Sequence, residues 1–190
     1  MGQVADLSTG HGDTRENEVE LRLYMVRYQA GDVGAVEVLV QSLSPRLMSY
    51  FTRSQASSCD VEYLLQECWL RIHRSRHTYR AADPLLPWIY AIARHTMLDD
   101  RRRRGRRAAR EVLLREPPEQ PLQNTVANSS GSDMDRLLER LPPNQRDLLL
   151  LLNVTGMTMA EAARATSSSV AATKKRAHRA YARLRAFLGE

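Results

Sequence analysis

Cysteine, lysine and long apolar runs are scarce in this 190-residue chain. Its two cysteines, Cys59 and Cys68, would stand ~13 Å apart along one helix, too far for a disulfide, which suits a reducing compartment such as the cytoplasm. Lysine occurs only at Lys174 and Lys175, against 26 arginines, a bias that base composition alone can produce. The longest leucine run, residues 148–152, is far too short to span a bilayer. Residues 1–17 lack the basic and apolar regions of a signal peptide and read as a disordered tail. A soluble chain without membrane insertion is expected.

Strand alternation is also missing, and helical periodicity dominates. Val19, Leu23, Val26 and Ala30 suggest the inward stripe of a first helix that stops at Gly31. Asp32 can cap a second, with Val36, Leu39, Val40, Leu43, Leu47, Tyr50 and Phe51 inward and Pro45 kinking or dividing it. Asp60 can cap a third, carrying Val61, Leu64, Leu65, Cys68, Trp69 and Ile72 at helical spacing. A fourth opens at Asp83-Pro84 or Pro87 and runs through Trp88, Ile92, Ala93 and Thr96. Residues 18–110 thus make one bundle. Residues 111–132, rich in Pro, Asn and Ser, read as a flexible linker with a reach of ~75 Å.

The remainder, 133–190, is a second helical unit. Leu137, Leu138 and Leu141 precede Pro142 and Pro143, and Pro143 can start a helix that Gly156 ends. Residues 158–161 form a capping box. A turn at residues 167–169 leads into a last helix from Val170 to about Leu188, with Thr173, Ala177, Ala180, Leu184 and Phe187 on its apolar stripe. A short helix, a tight turn and a longer basic helix read as helix-turn-helix. The expected fold is all-α: two small domains joined by a flexible linker.

Charge is distributed unevenly. The net charge is +6, but residues 59–110 carry +6 and 141–190 carry +5, while 1–58 and 111–140 carry −2 and −3. Two basic blocks flanking an acidic connector suggest two contacts with one polyanion. Within the first block, six of the seven residues from 101 to 107 are arginine, directly after an aromatic-bearing apolar stretch. Arginines neutralise phosphates and rings replace the stacking of a melted base, so this block suits single-stranded nucleic acid. The linker's reach would bridge two DNA sites about two turns apart at ~34 Å per turn.

Two stretches resemble the extracytoplasmic-function group of bacterial sigma factors. Residues 60–71 (DVEYLLQECWLR), then 88–94 (WIYAIAR) and 99–102 (DDRR), are similar to the family's second conserved region. Residues 141–146 (LPPNQR), Gly156, Met157, Thr158, Glu161, Ala163 and the basic run 174–185 are similar to its fourth. The resemblance spans about residues 18–188. It implies core RNA polymerase as partner, through the β′ clamp and β flap, and promoter DNA, duplex and melted, with an anti-sigma factor as a further possible partner. Asp60, Leu64, Gln66 and Glu67 would dock on the clamp coiled coil. Arg74, Tyr79, Arg80, Tyr90, Arg94, Arg101, Arg102, Arg103, Arg104 and Arg106 would hold the melted −10 element, with Tyr79 and Tyr90 as stacking surfaces and the loop 74–83 cupping an extruded base. Trp88 belongs to the core. At the −35 element, Ser169, Ala171, Ala172 and Thr173 would enter the groove, Lys174 and Arg176 would follow, and Lys175 and Arg179 would contact phosphates. The chain departs from the family pattern at Tyr63, at His95, at Ser167-Ser168 in the turn and at Ala172-Thr173.

Other readings compete. A helix-turn-helix regulator that binds duplex DNA without polymerase accounts for residues 134–188 but not for the arginine-rich bundle. A nuclease built on Asp99-Asp100 is disfavoured because neighbouring helical carboxylates point ~100° apart, and Asp99 is better read as a partner for nearby arginines. His73 and His77, at i and i+4, have no evident third ligand. No catalytic residue, cofactor or metal is expected.

Overall fold

The computed structural model describes residues 11–54, 58–114 and 133–189. In chain order its helices are α1 (His11–Gln29), α2 (Val33–Arg53), α3 (Ser58–Ser75), α4 (Leu85–Leu114), α5 (Asp133–Glu139), α6 (Pro143–Asn153), α7 (Met159–Ala165) and α8 (Val170–Leu188), with a 3-10 turn over Arg76–Thr78. The segment expected to be a disordered tail is helical from His11, and α4 runs four residues into the expected linker. The rest of both segments, 1–10 and 115–132, lies outside the described residues.

The caps are where the side chains require them. Gly31 adopts φ 95°, a left-handed turn that few side chains tolerate, and Asp32 accepts from the Ala35 amide at 3.2 Å to start α2. Asp60 is not a cap: α3 already begins at Ser58, and Asp60 sits in its first turn. Pro45 does not divide α2. It faces solvent, so water can satisfy the carbonyl that loses its amide partner.

In α1 the expected stripe faces outward. Val19, Leu23 and Val26 are 59%, 63% and 40% exposed, whereas Leu21, Met25 and Tyr28 are buried. Both sets have i, i+4, i+7 spacing, and periodicity alone cannot choose between them; the set with Met and Tyr fills more of the bundle. The remaining core follows expectation, with Leu39, Leu43, Leu47, Tyr50 and Phe51 from α2 and Val61, Leu64, Cys68 and Ile72 from α3. Leu85, Ile89, Tyr90, Ala93 and Met97 complete it from α4. Val40 is 37% exposed. Burial pushes the Cys68 thiol up to about 12, so it is an inert core group. Trp88 is half-buried and packs against the core.

The second unit is organised by an arginine. Arg146 donates to the carbonyls of Leu138 (2.7 Å), Glu139 (2.5 Å) and Leu141 (3.2 Å), tying the end of α5 to α6. A guanidinium suits the carbonyl end of a helix by charge as well as by hydrogen bonding. Thr158 and Glu161 form the reciprocal capping box of α7. Helix α6 ends at Asn153, ahead of Gly156, which takes φ 68° in the following loop. The units touch, with α7 packed against α4 and Arg53 of α2 paired with Asp135 of α5 at 3.7 Å. Among the described residues, no helix is long and apolar enough to cross a membrane.

Candidate polymerase and nucleic-acid interfaces

The arginine block lies in the second half of α4, and most of its guanidinium groups are already engaged. Arg101 donates to the Ser54 carbonyl at the end of α2. Arg103 donates to the Tyr63 hydroxyl at 2.6 Å and to Asp100 at 3.0 Å, with its guanidinium 5.1 Å from the Tyr63 ring centre. Arg104 pairs with Asp60 and, at 2.6 Å, with Asp100. Among the described residues Arg102 reaches only Asp99, at 3.7 Å, and its side chain is 70% exposed. Arg106 is exposed. Carboxylates three and four residues back thus offset the repulsion along α4.

A second set of pairs joins α3 to α4. Arg71 donates to Glu67 on its own helix at 3.0 Å and to Asp99 on α4 at 2.7 Å. The Arg71 hydrogen bond holds the Asp99 carboxyl below its usual range despite some desolvation. Asp99 is therefore a charge partner, as expected of it. These groups line a polar cleft of about 220 Å³ that also includes Tyr63, Asp100 and Arg106. Among the described residues, no three His, Cys, Asp or Glu side chains are grouped to hold a metal. His73 is committed elsewhere, with its Nδ1 2.5 Å from the Tyr28 hydroxyl.

The expected stacking tyrosines lie in the core. Tyr90 is 1% exposed and meets Tyr50 edge-on, with ring centres 5.4 Å apart. Tyr79 is 4% exposed, donates to the Asp83 carbonyl at 2.9 Å and packs on Trp88. Neither offers a free ring face here. Tyr90 falls one position after Ile89 on the wide buried stripe of α4, which aromatic type alone does not reveal. The preceding loop is braced against α1: Arg22 donates to the Ala81 carbonyl at 2.5 Å, and Gln29 to the Arg76 and Tyr79 carbonyls at 2.6 and 2.9 Å. Arg80 is exposed on it, and Arg74, expected on the same loop, is exposed in the last turn of α3.

On α3 the outward groups are Glu62, Tyr63, Gln66 and Leu70, with Glu67 half-buried. Leu64, expected as an apolar docking contact, is wholly buried. Leu70, one turn beyond Gln66 and 50% exposed, is the apolar group that this face presents. It was legible as a leucine off the i, i+3, i+4 stripe. Asp60, also expected to dock, is paired with Arg104.

In the helix-turn-helix, Ser167 adopts φ 51° and Ser169 caps α8 by accepting from the Ala172 amide at 3.2 Å. Ala171, Ala172, Lys174, Lys175 and Arg179 are exposed, and Arg176 is half-buried. Thr173 is fully buried, its hydroxyl donating to the Ser169 carbonyl at 3.0 Å, so it packs α8 instead of entering a groove. Its place on the apolar stripe already carried that signal. Arg94, expected at the −10 element, instead meets Asp147 across the two units at 4.0 Å, with side chains 18% and 1% exposed, and sequence reasoning missed Asp147 and this pairing.

The model for sigma-70 region 2 matches residues 39–107, and the model for sigma-70 region 4 matches residues 132–184. An RNA polymerase sigma factor of the extracytoplasmic-function group, SigF of Caulobacter vibrioides, is 33% identical over 167 residues, 87% of this chain and 92% of that one. The chain belongs to the extracytoplasmic-function group of RNA polymerase sigma factors. The sigma factor CarQ of Myxococcus xanthus is 30% identical, covering 87% of this chain and 96% of its own. The fold is shared with the sigma factor RpoE of Bartonella quintana, solved with the anti-sigma factor NepR, at TM-score 0.68 and 19% identity over 83% of this chain and 98% of that one. CnrH, solved with the cytosolic domain of CnrY, gives TM-score 0.67 and 24% identity over 88% and 96%. The region 2 match falls on α2 to α4 and the region 4 match on the helix-turn-helix unit, the two blocks where positive charge concentrates.

Proposed function

We propose that this sigma factor docks on the β′ clamp of core RNA polymerase through the outward face of α3, with Gln66 and Leu70 central and Glu67 at the edge. Residues 18–110 then hold the melted −10 element along α4, where Arg102 and Arg106 meet phosphates first and Arg74 and Arg80 flank the extruded base. Residues 133–190 read the −35 duplex with the start of α8. Here Ser169, Ala171 and Ala172 approach the groove, Lys174 and Arg176 follow, and Lys175 and Arg179 contact phosphates.

The observation that supports this most is the pairing, in one chain, of the region 2 match on an arginine-bearing helix and the region 4 match on a helix-turn-helix with a basic outer face. On this reading the chain is not an enzyme: polymerase supplies the chemistry, the sigma factor selects the start site, and both work in the cytoplasm. The similar fold of RpoE was solved with an anti-sigma factor, and a partner of that kind is proposed here too. Run-off transcription by core polymerase on a genomic promoter pool, with and without this chain, tests the function. Specific initiation only when the chain is added supports it. A gel shift on promoter duplex of equal strength and specificity without polymerase would favour a stand-alone regulator.

A further inference from the structure

The outward stripe of α1 is an apolar surface that the rest of the described chain leaves open. Val19, Leu23 and Val26 are exposed, and Ala30, just past the helix end, is exposed in line with them. Leu23 stands two residues from Leu21 and two from Met25, so it lies ~160° around the helix from both of these core groups. The stripe therefore adds nothing to the bundle, and it lies outside the region 2 match, which begins at residue 39. Its spacing of four, three and four residues is that of the a and d positions of a coiled-coil seam. Charge lies along one flank: Glu20 and Arg27, both exposed, stand seven residues apart on the same side of Leu23. The opposite flank carries Arg22, whose guanidinium is taken up by the Ala81 carbonyl. The charged flank is thus acidic towards the start of α1 and basic towards its end. Arg27 pairs with Asp32 at 2.7 Å and lies over the Tyr24 ring, but its side chain is 60% exposed, and a guanidinium has donors to spare for a second carboxylate.

We propose that this stripe is an interface between two copies of the chain, paired through α1 in antiparallel order. A two-fold axis between Leu23 and Val26 sets Leu23 against the second copy's Val26 and Val19 against its Ala30. The same axis brings Glu20 of each copy to Arg27 of the other, within reach of an arginine stem. Parallel pairing would set Glu20 against Glu20 and Arg27 against Arg27, and like charges facing each other are repulsive. Only the antiparallel order is complementary, and a closed two-fold contact uses one self-complementary patch on both chains. That inverted charge pattern is what selects a second copy as the occupant. Three helical turns bury less than a standard interface, so the dimer is weak and transient. The pairing is independent of the assignments of α3, α4 and α8 to polymerase and promoter DNA.

Sedimentation of the full chain over a range of concentrations reads the dimer. The wild type should pass from monomer to dimer below about 1 mM, the weak end of specific affinity. Leu23→Glu should stay monomeric with an unchanged melting temperature, because Leu23 lies outside the core. Glu20→Arg or Arg27→Glu alone turns both cross-copy pairs into repulsions and should weaken the dimer about tenfold. The double exchange, Glu20→Arg with Arg27→Glu, should restore it, and so should an equimolar mixture of the two single variants. Arg27→Glu also gives up the Asp32 pair, so Glu20→Arg and Leu23→Glu decide the matter if it does not fold. A wild type that is monomeric throughout overturns the interface, as does a dimer that survives Leu23→Glu. A dimer indifferent to Glu20→Arg overturns the antiparallel order. If the wild type is monomeric and Leu23→Glu weakens capture of core polymerase, the stripe belongs to polymerase and the second copy is ruled out.

Discussion

Arg71 and Asp99 face each other at 2.7 Å and tie the helix that presents Gln66 to the helix that carries the arginine block. Arg71 also holds Glu67, so one guanidinium serves two carboxylates on two helices. Gln66 stands outside this arrangement, exposed. Gln66→Ala should therefore weaken capture of core polymerase while leaving the melting temperature unchanged. Glu67→Ala should weaken capture and also lose part of the Arg71 pairing, which for a partly exposed pair costs about 1 kcal/mol or less. That corresponds to a drop of about 2–4 °C in a domain pair of this size. Pull-down with core polymerase and thermal melts of both variants check the split.

The arginines differ in what they are free to do. Arg102 is 70% exposed, whereas Arg101, Arg103 and Arg104 each have closer intramolecular partners. Arg102→Ala should lower open-complex formation at all promoters alike and reduce the salt slope by about one phosphate contact. Arg103→Ala should do the same and also loosen α3 from α4, through loss of its Tyr63 and Asp100 contacts. Salt titrations of open-complex formation, beside melting curves, separate a phosphate clamp from a brace. A loss confined to one promoter class for Arg102→Ala would make it a base reader.

Much of the fold was legible because local signals agreed: caps at Asp32 and Thr158, the turn at residues 167–169 and the stripe of α3 all point the same way. The errors share a cause. Val19 and Leu21 both lie on helical stripes, and only the packing partners decide which stripe turns inward. Tyr79, Tyr90, Leu64 and Thr173 have residue types that suit contact with a partner, but each also fits the buried period, and burial won. The cross-helix pairs of Arg71, Arg103 and Arg104, and the Arg94–Asp147 contact, bring together residues 28 to 53 positions apart. No periodicity encodes such pairs; they follow from how the helices cross.

Ser167 bears a backbone conformation that suits glycine, with φ 51°. Ser167→Gly should stabilise the C-terminal unit by about 0.5–1 kcal/mol, since removing the Cβ relieves the left-handed strain by more than the added chain entropy costs. Thermal melts of the two proteins give the sign. A lower melting temperature for the glycine variant would show that the Ser168 and Ser169 contacts already offset the strain.

Asp147 should make compactness depend on pH. Burial raises its carboxyl pKa above the ordinary 3.8, against the lowering pull of Arg101, Arg94 and Arg146. A carboxyl whose pKa is raised where the two units touch binds its proton better there, so protonation favours contact between the units and ionisation opposes it. The chain should tighten as pH falls towards the raised pKa and loosen as pH rises through it. Asp99 and Asp32, whose pKa values are lowered, act oppositely: the stability they lend is present above their ordinary values and is lost as pH falls through the lowered ones. Scattering against pH should show the tightening in the wild type but not in Asp147→Asn. An identical profile in both proteins would assign the dependence to other carboxylates.

The start of α8 should divide its basic residues between reading and holding. Arg176 is half-buried, so its stem is constrained, and a constrained guanidinium is suited to a bidentate contact with a guanine edge. Lys175 and Arg179 are exposed, and a lysine ammonium there acts as a flexible point charge on phosphate. Ala171 and Ala172 are exposed and small, which lets the backbone of the first turn approach the groove. Arg176→Ala should cost about 1–3 kcal/mol at the best upstream element and relax preference at one base position, whereas Lys175→Ala should weaken every element alike and reduce the salt slope by about one. Binding titrations over all single-base variants of the upstream element measure both. Equal losses for Arg176→Ala across the whole set would take it out of the readers and leave Ser169, Ala171, Ala172 and Lys174 to carry the choice of sequence.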